Sequence, residues 1–125
     1  MARILLIEDN YPILDSMAFI LTLEGHEVIE ATGGREGLGF VDQFQPDLVV
    51  CDVVMPGVDG YEVLRTIRAQ SLVPNVPIVL ISASDISLPN RRKCRDANAF
   101  VKKPFELDHF LGVVNDLLQP PVISN

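Results

Sequence analysis

Glu8 and Asp9 follow the run Ile4-Leu5-Leu6-Ile7, Asp52 follows Leu48-Val49-Val50-Cys51, Ser82 follows Ile78-Val79-Leu80-Ile81, and Lys103 closes a mixed run that begins at Ala99. Taken singly, each has an ordinary structural use. An acid behind a strand is commonly a turn former, a serine a helix cap and a lysine a solvated charge. Their recurrence behind four apolar runs points to chemistry. Three carboxylates drawn together repel, so one must keep a proton unless a cation neutralises the group. Oxygen-only ligands select a hard divalent ion that retains water, Mg²⁺ above all. Zinc is disfavoured, because no histidine adjoins these positions and Cys51 points away from Asp52 by strand alternation. A carboxylate beside such an ion and an ammonium can attack a phosphoryl group. The product is an acyl phosphate on aspartate, and catalysis is mainly positioning and electrostatics.

Elements of definite type must bring these residues together. The runs at 4–7, 48–51 and 78–81 are apolar throughout and rich in branched residues, as in strands of a parallel sheet covered on both faces. Weaker runs at 27–31 and 99–102 carry polar residues and suit edge strands. Between them lie helical patterns. Over residues 12–24, Ile13, Leu14, Met17, Ile20 and Leu21 share a face, with Pro12 in the first turn and Gly25 just past the end. Phe19 and Leu23 fall off that stripe and are expected at the surface. Residues 34–44 form a weaker helical pattern, because Gly37 and Gly39 each cost about 1 kcal/mol relative to alanine. Asp59 and Glu62 have capping-box spacing ahead of Val63, Leu64 and Ile67. Residues 106–118 carry the stripe Leu107, Phe110, Leu111, Val114, Leu117 and Leu118. Pro89 limits the stretch 84–95 to a short helix over about 90–96. Five alternations of strand and helix predict an α/β fold, a doubly wound five-stranded parallel sheet with its site at the carboxyl ends of the strands.

The chain has 125 residues, one domain by length. With 10 Lys and Arg against 17 Asp and Glu, its formal charge is −7, which argues against direct nucleic-acid binding. The apolar runs are too short for a membrane span, and Glu8 and Asp9 interrupt any signal-peptide core. Two cysteines and no export signal fit a cytoplasmic location. The domain is expected over residues 1–118, with 119–125 a flexible tail or a truncated linker.

Together, Leu6-Ile7-Glu8-Asp9-Asn10, the stretch 46–60 around Asp52, Ile81-Ser82-Ala83 and Phe100-Val101-Lys102-Lys103-Pro104-Phe105 resemble the receiver domain of two-component response regulators, over nearly the whole chain. The resemblance implies a flavodoxin-like sheet of order 2-1-3-4-5. It implies that Asp52 accepts a phosphoryl group from a sensor histidine kinase or phosphotransfer protein. Asp9 would ligate Mg²⁺ directly, Glu8 through water, and Asp52 and the Val54 carbonyl would complete the protein ligands. Lys103, which precedes Pro104 through a cis bond in the family, would pair with the phosphoryl oxygens. Ser82 would be the switch hydroxyl, Ala83 would offer its N–H, and Phe100 would be the switch aromatic. Output would pass through the fourth predicted helix, the fifth strand and the fifth helix to a downstream protein, with the domain a monomer or a weak phosphorylation-dependent dimer. Any enzymatic character would be limited to self-catalysed phosphotransfer and autodephosphorylation.

Three features depart from the family pattern: Asp96 stands where glycine is usual, the stretch 84–95 is short and contains Pro89, and Phe100 lacks a hydroxyl. Arg91, Arg92, Lys93 and Arg95 form a basic cluster, either a solvated face or a docking patch for an acidic partner or second copy. His26, His109, Tyr61 and Cys94 carry no strand-end pattern and suit packing or surface roles. Three further readings remain open. One is a flavodoxin-type cofactor binder, which Glu8 and Asp9 would repel. Another is an interaction module of the same fold that is not phosphorylated. The last is a receiver cut from a larger regulator.

Overall fold

The apolar runs form the centre of one parallel sheet in the computed structural model, which describes residues 1–83 and 95–119. The strands are β1 (Arg3–Ile7), β2 (Glu27–Ala31), β3 (Leu48–Asp52), β4 (Ile78–Ser82) and β5 (Ala99–Lys102). The described helices are α1 (Tyr11–Leu23), α2 (Gly34–Phe44), α3 (Gly60–Gln70) and α4 (Leu107–Leu118). Strand order is β2-β1-β3-β4-β5, all pairs parallel. The fold class expected from alternation is therefore the one observed, and the two polar runs are its edges. The helix expected over 90–96 falls outside the described residues, except that Arg95 and Asp96 form a turn; most of the basic cluster and the 120–125 tail lie outside them too.

Strand alternation divides the core into two layers. Leu5, Ile7, Val49, Cys51, Ile78 and Leu80 face α2 and α3. Ile4, Leu6, Val50, Val79, Ile81 and Val101 face α1 and α4. Cys51 is fully buried in the first layer, which explains why its thiol titrates well above the usual range: burial dominates, with Asp52 and Glu8 adding to it. Phe19 and Leu23 are exposed, as their place off the α1 stripe requires. Leu107 differs from expectation. It begins α4 and is 44% exposed, because Phe110 and Val114 fill the buried face.

α2 forms despite its glycines, and packing gives the reason. A Cβ on Gly37 would strike Ile7 Cδ1, so glycine lets α2 lie directly on β1, just below Glu8. The contact compensates for the poor intrinsic propensity.

Candidate functional site

Each candidate side chain is delivered by the end of a buried strand. β1 leads into Glu8, whose N–H donates to Ala31 O at 3.0 Å, and then into Asp9 and Asn10. Asn10 caps α1 by accepting from Ile13 N at 3.1 Å, which turns the chain away from the sheet. Asp52 is the last residue of β3. The next residue, Val53, donates its N–H to Ile81 O at 2.8 Å and accepts from Gly60 N at 2.9 Å. Asp59 caps α3 by accepting from Glu62 N at 2.9 Å, as the capping-box spacing suggested.

At this edge Glu8, Asp9 and Asp52 each offer an oxygen, and these oxygens all lie within 4.8 Å of one another. Glu8 is 3% and Asp52 7% exposed, whereas Asp9 faces solvent. Lys103 Nζ lies 3.0 Å from Glu8 Oε1 and 3.4 Å from Asp52 Oδ2. The Lys103–Pro104 bond is cis, and the Lys103 N–H donates to Ser82 O at 2.7 Å. Among the described residues, one buried side-chain oxygen, Glu8 Oε2, has no hydrogen-bond partner.

The electrostatics follow from that crowding. Burial first, then hydrogen bonding and repulsion from Asp52, push the Glu8 carboxyl up to about 7, although Lys103 pulls the other way. Lys103 is held above its ordinary value, since Glu8 and Asp52 outweigh the burial that would lower it. Among the described residues, one ammonium, paired with Glu8 and Asp52, thus accompanies a cluster of three acids, and positive charge there is in deficit. An oxygen-only donor set with an unsatisfied buried oxygen suits a hard divalent cation.

The structure brings Glu8, Asp9, Asp52 and Lys103 together. Ser82 is buried at the end of β4 and Ala83 is exposed just beyond it, both on the same sheet edge. Val54 is 69% exposed in the loop after β3. Phe100 sits within β5 opposite Leu80, half-buried against the α2–α3 layer rather than in the pocket. Gly60 was legible only as part of a motif. A Cβ there would lie 2.5 Å from Asp52 O, so glycine lets the start of α3 press against the site strand. Its only sequence signal is a poor helix former directly after the cap.

The model of the response regulator receiver domain family matches residues 4–115. The chain belongs to that family. It is 31% identical over 121 residues to the DNA-binding dual master transcriptional regulator RpaA of Synechocystis, covering 95% of this chain and 50% of that one. It is 28% identical over 119 residues to Protein PilH of Pseudomonas aeruginosa, covering 94% and 98%. Thus the receiver domain spans about half the length of RpaA and nearly all of PilH. Among solved structures, response regulator TrrA of Thermotoga maritima in complex with Mg²⁺-BeF superposes with a TM-score of 0.86 at 31% identity, covering 94% of this chain and 100% of that one. Receiver domains bind Mg²⁺ at an acidic pocket, and this chain carries an acidic cluster of Glu8, Asp9 and Asp52.

Proposed function

We propose that this receiver domain accepts a phosphoryl group on Asp52 from a histidine kinase or phosphotransfer protein and passes the signal on by changing shape. The observation that carries the reading is the three-acid pocket with Lys103 placed on both Glu8 and Asp52. Asp9, Asp52, the Val54 carbonyl and, through water, Glu8 would hold Mg²⁺. When bound, the ion would offset the charge of incoming phosphoryl oxygens.

The other steps belong to the chain. Asp52 Oδ attacks the phosphorus, the bond from phosphorus to the donor nitrogen or oxygen breaks, and the donor leaves with that electron pair. The acyl phosphate adds about −1.5 to −2 charges at one point. Lys103 then exchanges its carboxylate contacts for phosphoryl oxygens, Ser82 turns its hydroxyl to the same group, and the Ala83 N–H aids it. Phe100 moves into the space Ser82 leaves and alters the surface around β5. Its ring gains no hydrogen bond there, so packing alone must favour the inward state. The switch is a population shift whose size is limited by how differently the two packings hold the phosphate. Exposed Tyr11 and Val54, close in sequence to the pocket acids, give a protein donor apolar surface to contact. No described helix is long and apolar enough to cross a membrane, in keeping with a cytoplasmic role.

The test is labelling by acetyl phosphate. Wild type should be labelled only with Mg²⁺ present, and Asp52→Asn not at all. Full labelling of that variant would overturn the assignment.

A further inference from the structure

β5 is an edge strand of four residues, and its side-chain pattern defines its register poorly. Only Val101 is buried, Ala99 and Phe100 are half-buried, and Lys102 is exposed. Strands without a strong buried face are prone to slip. Lys103 follows directly, so any slip carries its ammonium along. One residue of slip moves the backbone by about 3.3 Å. The ammonium lies 3.0 Å from Glu8 and 3.4 Å from Asp52, so that displacement would break both contacts.

The entry to β5 carries a dense set of hydrogen bonds that can supply the missing register. Asn98 N donates to Ile78 O at 2.9 Å, and Asn98 Oδ1 accepts from Ile78 N at 2.9 Å. The same Oδ1 accepts from Arg68 Nη2 at 2.9 Å. Arg68, on α3, also donates from Nε and Nη2 to Asp96 O at 3.1 and 2.9 Å. Its Nη1 donates to Pro74 O at 3.0 Å and Val76 O at 2.6 Å in the loop that enters β4. One guanidinium therefore ties the starts of β4 and β5 to the same helix. Such a fork fixes direction as well as distance, which a point charge does not.

We propose that Arg68 and Asn98 are positioning residues for Lys103: by pinning the start of β5 against β4, they set where its far end delivers the ammonium. The proposal rests on the reading of the pocket as a phosphoryl site. Ile78 N and Arg68 Nη2 both need an acceptor at position 98, so Asn98→Asp keeps the anchor and Asn98→Leu removes it. Arg68→Lys keeps the cation and loses the fork.

The test uses beryllofluoride, a phosphoryl mimic, followed by fluorine NMR with Mg²⁺ present and the protein folded by circular dichroism. Magnesium affinity alone is measured by calorimetry. Asn98→Leu should weaken beryllofluoride binding about tenfold, as loss of one charged contact does, and Arg68→Lys somewhat less. Asn98→Asp should bind it as wild type does. Magnesium affinity should be kept or raised in all three, because Glu8 and Asp9 directly follow β1 and Asp52 ends β3, away from the β5 anchor. The Lys103 amide should exchange faster in Asn98→Leu and Arg68→Lys. Wild-type beryllofluoride binding in folded Arg68→Lys and Asn98→Leu would overturn the anchor alone, as would a parallel fall in magnesium affinity. Failure of wild type to bind beryllofluoride would instead overturn the phosphoryl reading on which it rests.

Discussion

At the carboxyl end of the sheet, Lys103 faces buried Glu8 and Asp52, and Glu8 Oε2 has no partner among the described residues. At the amino end, Arg68 spreads its donors over the carbonyls of Pro74, Val76 and Asp96 and the side chain of Asn98. Both ends gather polar groups from several elements. One end has too many acceptors and a carboxyl pushed up to about 7. The other matches donors to acceptors. A satisfied network specifies and holds a structure, whereas an unsatisfied one stores a demand for a ligand. The contrast separates an unsatisfied end of these strands from a satisfied one.

The sharpest way to break that contrast is Asp52→Asn. It should abolish acetyl phosphate labelling and yet raise metal-free stability by about 1 kcal/mol, because it removes a charge that opposes Glu8 ionisation. Urea unfolding in a chelator checks the second half; a destabilised variant would mean that the acids are structural. Next comes Arg68→Ala at the opposite end. Orphaned carbonyls around a half-buried site should lower stability by about 2 to 3 kcal/mol, read by urea unfolding.

The pH dependence should be of intermediate size. Glu8 holds its proton more tightly folded than unfolded, so its stabilising contribution is complete below its ordinary value of 4.5 and is lost as pH rises through about 7. In a chelator, wild type should lose about 2 kcal/mol between about pH 5 and about pH 8 relative to Glu8→Gln. Saturating Mg²⁺, which favours the ionised carboxyl, should remove the difference. An identical profile for the two proteins would show that Glu8 titrates normally. The smallest effect is expected for Asp59→Ala, which removes the α3 cap and should cost about 1 kcal/mol by thermal unfolding while leaving labelling intact.

The residue pattern was sufficient for the sheet. Uninterrupted branched runs mark β1, β3 and β4 as central, and the polar positions of β2 and β5 mark them as edges. These are local signals, since burial on both faces demands apolar side chains at every position. For the same reason Glu8, Asp9, Asp52 and Lys103 could be named in advance, as polar residues standing where apolar runs stop. α2 was less legible, because Gly37 looks like a helix breaker until Ile7 is seen to occupy the space of its Cβ.

What the tertiary structure alone decided concerns distance between remote segments. No local pattern states that Lys103 lies 3.0 Å from Glu8, 95 positions away, or that Glu8 Oε2 finds no partner among the described residues. Nor does the α3 sequence show that Arg68 reaches Asp96 and Asn98. Apolar periodicity is written residue by residue because each side chain responds to its own burial. Hydrogen-bond partnership and pKa depend on which chains meet, and that is settled only when the strands take their order and register.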